Sequence, residues 1–384
     1  MQGTELQQEA ERQATICNAC RYCEGICAVF PAIQMQRGFA AGDIDYFANL
    51  CHNCGACYHD CQFSPPHEFA INLPKTLAAV RHESYGRYAW PAAFAPAFAR
   101  NGLLISVLTA LSVTLFLVGM IVLNDAGALF RAHLSPEGFY ALMSHNVMVG
   151  LFGPVFLFSI FALFMGLRNF WSDANAVRAV DADSPSIWQA MKDAGSLRYL
   201  DGGGVGCFNE DDQPNDNRRL YHHLTFYGFL LCLAATSTGT IYHYGFGRVA
   251  PYMWWDLPQM LGTIGGLGLA IGTGGLLNAK RKRLREMADE GSLGMDVAFT
   301  LMLFLTAVTG LALHVLALTP LLGILLALHL GVVFSLFLTM PYGKFVHGLY
   351  RFAALCRFAM ARRHGLKTPK PKAKSAEAGQ AVGG

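Results

Sequence analysis

Six stretches of this chain stay apolar for about one bilayer's worth of helix: Leu103 to Leu123, Val147 to Leu167, Leu224 to Tyr244, Leu257 to Leu277, Val297 to Leu318 and Leu322 to Met340. At about 1.5 Å of rise per residue, each is long enough to cross roughly 30 Å of hydrocarbon. The pattern predicts six transmembrane helices. Before them the chain is polar and interrupted. Met1 to Ala14 reads as a polar helix and Thr15 to about Val80 as a small folded unit, with Pro65, Pro66 and Pro74 breaking regular structure. Ala89 to Ala99 carries Trp90, Phe94 and Phe98, which suit the headgroup level of a membrane. The expected divisions are residues 1–80 as the N-terminal unit, 81–102 as an interfacial linker and 103–347 as a six-helix membrane domain with a loop at 168–221. Residues 348–384 are expected to be a basic tail, disordered from Thr368 to Gly384, where Pro, Lys, Ala and Gly dominate.

Composition agrees with the pattern. Only 14% of the 384 residues are charged, against roughly 25% in an average soluble domain, while 53% are hydrophobic. The net charge of +3 gives no reason to expect nucleic acid. Where the charges fall matters more than their sum. Lys280, Arg281, Lys282, Arg283 and Arg285 follow the fourth stretch, and Arg351, Arg357, Arg362, Arg363 and Lys367 follow the sixth. The loops from Asn124 to Ser144 and from Phe246 to Asp256 carry few Lys or Arg. The positive-inside rule then places both termini and the N-terminal unit in the cytoplasm of a bacterial cell, with the helices in its inner membrane.

The N-terminal unit carries the clearest chemistry. The run C-x2-C-x2-C-x3-C occurs twice, as Cys17, Cys20, Cys23, Cys27 and as Cys51, Cys54, Cys57, Cys61. Each run predicts one [4Fe–4S] cluster: three thiolates on one tight loop converge on three corners, and the fourth cysteine ligates the other cluster. The assignment is Cys17, Cys20, Cys23 and Cys61 for one cluster and Cys51, Cys54, Cys57 and Cys27 for the other, in a ferredoxin-like domain. A disulfide framework belongs to small secreted chains, and no apolar signal segment opens this sequence. Zinc sites show separated C-x2-C pairs rather than runs of four. The proline that usually follows the fourth cysteine is displaced, to Pro31 and Pro65. Tyr22, Phe30, Tyr46, Phe47 and Tyr58 are expected to pack around the clusters and hold water off them.

Thirteen histidines are present, and His145, His222, His223, His243, His314, His329 and His347 fall within or beside the predicted helices. Ionisable residues at membrane depth are functional candidates, and imidazole is a common axial ligand of haem iron. The topology puts His222 or His223 on the cytoplasmic side with His347, and His243 on the opposite side with His329. That permits one or two b-type haems between the third and sixth helices. His314 and His145 compete on the outer side, where hydrogen-bonding roles suit them better.

The doubled cysteine run, Tyr221-His222-His223-Leu224-Thr225-Phe226-Tyr227-Gly228, Ile241-Tyr242-His243 and Pro341-Tyr342-Gly343-Lys344-Phe345-Val346-His347 resemble the tricarballylate utilisation protein B family, also called the CitB family, over nearly the whole chain. The resemblance implies an α-helical membrane protein, a cytochrome b-like bundle with a ferredoxin-like domain, acting beside an FAD dehydrogenase that oxidises tricarballylate to cis-aconitate. Electrons would pass from its reduced flavin through two [4Fe–4S] clusters and haem b to the quinone pool. His329 to His347 also resembles the last helix of the respiratory nitrate reductase gamma subunit, where two histidines at this spacing bind haem.

No nucleophile–base pair, nucleotide loop or paired catalytic carboxylate stands out, so the chain is expected to carry electrons rather than transform a carbon substrate, quinone reduction apart. The cluster of glycines in Asp201-Gly202-Gly203-Gly204-Val205-Gly206-Cys207 reads mainly as a turn, because no strand and helix flank it. Cys207 is weighed as a thiol or extra ligand and read as neither; Cys232 and Cys356 read as packing residues. Two other functions remain in view. One is electron transfer from a different flavoprotein, including an oxygenase-type partner in cobalamin synthesis. The other is a redox-regulated carboxylate transporter or sensor, suggested by the glycines from Gly262 to Gly275, though small residues more simply allow close helix packing.

Overall fold

The computed structural model describes residues 4–133, 138–209 and 213–367, and the tail end expected to be disordered lies outside them. The first helix, α1 (Glu5–Cys20), is started by Thr4: its hydroxyl accepts from the Gln7 backbone N–H while the Gln7 side chain accepts from the Thr4 N–H. It runs on through the first two cysteines and stops only at Arg21, whose φ of 59° cannot continue a helix. α2 (Val29–Gln34), α3 (Ala41–Leu50), α4 (Ala56–His59) and α5 (Leu73–Tyr88) complete the N-terminal unit. A 3-10 segment at Ala92–Phe98 leads into α6 (Asn101–Leu123), followed by α7 (Gly138–Leu142), α8 (His145–Ala174) and α9 (Ser184–Gly195). The rest comprises α10 (Asn217–Phe246), α11 (Leu257–Arg281), α12 (Glu290–Val315), α13 (Leu322–Thr339) and α14 (Val346–His364).

Six of these, α6, α8, α10, α11, α12 and α13, are long and apolar enough to cross a membrane, and they coincide with the six apolar stretches except at two ends, where α12 stops at Val315 rather than Leu318 and α13 at Thr339 rather than Met340. α13 is the most enclosed. Its Ser335 hydroxyl meets Thr109 of α6 at 2.8 Å, and the Ser159 hydroxyl of α8 donates to the Phe337 carbonyl at 2.6 Å. α10 leans on α11 through glycine. A Cβ at Gly228 would lie 2.5 Å from the Leu269 backbone nitrogen and 2.8 Å from the Gly265 carbonyl oxygen, so only a bare backbone permits the approach. Elsewhere α10 is barely covered, Gly228 being its buried residue.

Two boundaries differ from those expected. The linker at 81–102 begins inside α5, where Arg81, Ser84, Tyr85 and Tyr88 are all buried. The basic tail from residue 348 is not a tail as far as His364: it is α14, packed on α3, α8 and α9. Its arginines turn inward. Arg357 is 1% exposed, reaches Asp43 at 3.2 Å and lies 4.2 Å over the Tyr46 ring, while Arg178 meets the same Asp43 at 3.0 Å. Two guanidiniums around one buried carboxylate let a charged segment enter a core that would otherwise reject it. That core joins Phe47 and Leu77 of the N-terminal unit to Phe170 of α8 and Tyr350 of α14, so the cysteine unit and the long helices share one interior.

Candidate metal centres

The cysteines of the first run start on a helix. Cys17 and Cys20 occupy the last turn of α1, three residues apart and so on one face, and Cys23 follows after the turn at Arg21. The expectation of one tight loop for all three therefore fails here, because α1 remains hydrogen-bonded up to Cys20. In the second run Cys51 ends α3, Cys54 lies in the loop and Cys57 is on α4. Cys17, Cys20, Cys23 and Cys61 line one pocket together with Cys57, with Phe30 and Tyr58 around it.

Burial, reinforced by the neighbouring thiols Cys23, Cys61 and Cys20, pushes the Cys17 thiol up to about 12; burial, Cys61 and Cys20 do the same to Cys23, also to about 12. The second set behaves alike. Burial comes first, and Cys27 is raised further by Cys51 and Cys54, while Cys57 is raised by Cys54, Cys27 and Cys51. All eight cysteines of the two runs thus lie close to one another in the N-terminal unit, and Cys57 neighbours both groups, lining the pocket of Cys17, Cys20, Cys23 and Cys61 and standing within electrostatic reach of Cys54, Cys27, Cys51 and Cys23. Among the described residues no group of three His, Cys, Asp or Glu could hold a single metal ion. Four thiols held apart around an apolar space suit a cube, which spreads its ligands more widely than one ion does, and the positive charge of iron is what draws off protons held this firmly.

The second set has a support the sequence reading missed. Arg81 of α5 donates to the carbonyls of Ala48 at 3.1 Å and Cys51 at 2.7 Å. Arg351 of α14 donates to Asn49 at 3.3 Å and to Cys51 at 2.7 Å, and Arg218 of α10 to Asn53 at 2.7 Å and His52 at 3.1 Å. Three charged donors from three helices hold one loop by its carbonyls. Of the three, the sequence pattern marks only Arg351, as one of the basic residues that set orientation; Arg81 and Arg218 carry no such mark. Backbone N–H groups also reach sulfur: Asn53 lies 3.4 Å from Cys51 Sγ, and Val29 and Phe30 donate to Cys27. Such bonds raise the potential of a cluster held there. The glycine-rich loop covers the same place. Gly202, Gly203, Gly204 and Gly206 all take positive φ, the Phe208 N–H donates to the Cys54 carbonyl at 2.9 Å, and Cys207 is 2% exposed with its thiol on the Leu200 carbonyl. The turn reading holds for this loop, and its role is to seal the second cysteine set.

Of the histidines, the structure brings His222 and His347 together, with ring centroids 6.2 Å apart and planes at 74°. That is close to the span of two imidazoles sharing one iron, at about 2 Å per metal–nitrogen bond. The Nδ1–H of His347 donates to the Lys344 carbonyl, which leaves Nε2 as the free lone pair, and His222 Nδ1 is buried with no partner. Burial, then Lys344, Arg351 and His222, hold His347 well below its usual range and therefore neutral, the form that ligates a metal. These residues fit a haem. His223 instead stacks with Tyr227 at 6.1 Å.

At the other end the expected pairing of His243 with His329 is not formed. His243 stacks on His145 at 3.9 Å, too close for an iron between the rings, and His145 Nε2 meets the Tyr244 hydroxyl at 2.9 Å. His329 lies 2.9 Å from the Thr309 hydroxyl, which donates to Leu305 and so accepts from His329 Nδ1–H. His314 bonds the Gln259 side chain, the hydrogen-bonding role expected of it.

Comparison with known proteins agrees with this division of the chain. The family described as citrate utilization protein B matches residues 97–367, and the one described as citrate utilization protein B Fer4-like domain matches residues 10–98. A protein of Escherichia coli named citrate utilization protein B is 47% identical over 363 residues, 94% of each chain. No solved structure matches.

Proposed function

The chain belongs to the citrate utilization protein B family, and from that premise we propose that it carries electrons from a reduced FAD dehydrogenase, through two [4Fe–4S] clusters and haem b, to a membrane quinone. The Fer4-like domain supports the iron–sulfur part, and the six long helices support a multi-pass membrane protein. The observation that carries the order of transfer is the arginine clamp. Arg218 and Arg351 bind the second cysteine loop, and each stands four residues, one helical turn, from His222 or His347.

Clusters and haem, when bound, supply one-electron couples. The residues do the rest. Two of the second set, Cys51 and Cys54, are buried, with Cys27 and Cys57 partly exposed, while all four of the first set, Cys17, Cys20, Cys23 and Cys61, are partly exposed. The first set is therefore the entry for electrons from a docked flavoprotein, and the second set is the exit toward His222 and His347. Arg81, Arg218 and Arg351 fix the second loop relative to the histidines, and the 201–208 loop keeps water from it. The proposal commits to one haem, held at His222 and His347. The cytoplasmic placement of the cysteine unit follows from the Lys and Arg distribution. The donor proposed is the dehydrogenase that oxidises tricarballylate to cis-aconitate; the relative's name ties it to citrate, another tricarboxylate. Of the glycines that suggested transport, Gly262, Gly265, Gly268, Gly272 and Gly275 face α10, and Gly266 and Gly274 face α12, so they serve helix packing.

The test mixes membranes containing the protein with a tricarballylate-reduced flavoprotein. Haem should be reduced and then reoxidised on adding quinone. Cys54→Ser should retain haem and lose its reduction by the flavoprotein. Reduction at the parent rate would place the clusters off the path and overturn the ordering.

A further inference from the structure

Beside the His222–His347 pair lies a group of cations that outnumbers its anions. Lys344, just before α14, has its Nζ 2.7 Å from Asp296 Oδ1, and Lys280, near the end of α11, has its Nζ 3.6 Å from Asp296 Oδ2. All three side chains are at most one quarter exposed. Arg283 stands within electrostatic reach of Lys280, Asp296 and Arg218; its Nε is buried without a partner, and its Nη2 reaches only the Met287 carbonyl, at 3.5 Å. Arg81, Arg218 and Arg351 face the same region, but their N–H groups are taken up by the second cysteine loop. Around Asp296, then, three cations share one carboxylate. Two positive charges held out of water without counter-ions are costly, and a buried guanidinium nitrogen with nothing to donate to adds to the cost. A ligand with two negative charges would meet that deficit.

We propose that Lys280, Arg283 and Lys344 form a dicarboxylate-binding chamber that takes the two propionates of the haem held by His222 and His347. The inference rests on the haem reading given above. Lys344 acts electrostatically on His347, and Arg218, which acts on His222, also acts on Lys280 and Arg283, so the three cations lie near the ligand pair. The apolar body of the porphyrin would then lie along the poorly covered face of α10 while its charged edge meets the cations. A free di- or tricarboxylate offers the same chemistry from a second source, and the experiment separates the two.

Full-length protein is prepared as wild type, as Lys280→Gln/Lys344→Gln and as Lys280→Arg/Lys344→Arg, each loaded either with haem b or with its dimethyl ester, and haem loss to an excess of apomyoglobin is timed. Iron and sulfide content verify that each protein is folded. Wild type should release the ester about tenfold faster than the free acid, the effect of about 1.4 kcal/mol from lost charge-assisted bonds. The Gln variant should release both at the faster rate, and the Arg variant should restore the difference. Equal release of acid and ester by wild type, or an undiminished difference in the Gln variant, overturns the proposal while leaving the haem reading intact. Citrate or tricarballylate added to loaded wild type should leave release unchanged. Lysine-dependent acceleration by either would assign the chamber to a free carboxylate instead. Absence of haem from wild type would sink the haem reading and this inference with it.

Discussion

The two cysteine runs share one spacing and occupy two different settings. The first begins on the last turn of α1, and its four thiols are partly exposed beside Tyr22, itself 72% exposed. The second is more enclosed at its start: Cys51 and Cys54 are under 10% exposed, three arginines hold that loop by its carbonyls and the Phe208 N–H bonds the Cys54 carbonyl, while Cys57 and Cys61 are partly exposed. Spacing therefore says which metal group a run suits, and setting says what the group faces. A surface-facing set is placed to meet a partner, and a clamped set is placed to meet the helices that carry His222 and His347.

The largest effect expected from that contrast is at the histidines behind the second set. His347→Ala should abolish haem at this pair while both clusters remain, whereas His145→Ala, which removes a ring already satisfied by Tyr244, should leave it in place. Pyridine haemochrome content beside iron and sulfide content decides this. If the two variants lose haem equally, the second run is not the one that faces the haem.

Arg351→Met should come next. It removes charged donors from two carbonyls of the second loop, at a cost of about 3 kcal/mol. Thermal loss of the cluster absorbance should move to lower temperature, and transfer from clusters to haem should slow. Cys207→Ala should do less. Its thiol donates to the Leu200 carbonyl and it stands outside the two cysteine runs, so about eight irons per chain are expected with it or without it, with a stability loss of about 1 kcal/mol. Loss of four irons would make Cys207 a ligand of the second set.

What was legible in the sequence follows from range. Six helices showed because hydrophobic length is a local property, and the Fer4-like domain showed because the spacing within each cysteine run is local. The arginine clamp did not show: Arg218 and Arg351 lie far along the chain from His52 and Cys51, and a positive charge beside an apolar helix looks the same whether it faces a headgroup or a buried carbonyl. α14 was hidden for the same reason, since Arg357 can enter a core only with Asp43 and Tyr46 already there. Among the histidines, topology put His222 and His347 on the same side but could not choose between His222 and His223, because adjacent residues on a helix differ by about 100° in facing and no sequence pattern says which side is covered. The pairing of His243 with His145 was missed because rings that stack across helices leave no periodic trace.

The smallest effect lies with the first run, and it tests the contrast from its weaker side. Arg12 and Glu9 on α1, one to two turns before Cys17, pair at 2.7 Å with both side chains about 40% exposed. Hydrogen bonds from Arg12 and, after it, Gln13 hold the Glu9 carboxyl below its ordinary range against a burial cost that works the other way. Because the folded value is depressed, the contribution of Glu9 to stability is present above about pH 4.3, the unfolded range, and disappears as pH falls through the lower folded value. Exposed pairs contribute at most about 1 kcal/mol and weaken with salt. Arg12→Met should therefore cost no more than that at pH 7, and the gap between variant and parent should close in acid or in high salt. The Arg351→Met deficit should survive high salt, since its bonds go to carbonyls of a closed loop. Equal costs for the two substitutions at pH 7, with equal salt dependence, would mean that the two cysteine runs are supported alike and that the division into a facing set and a clamped set is wrong.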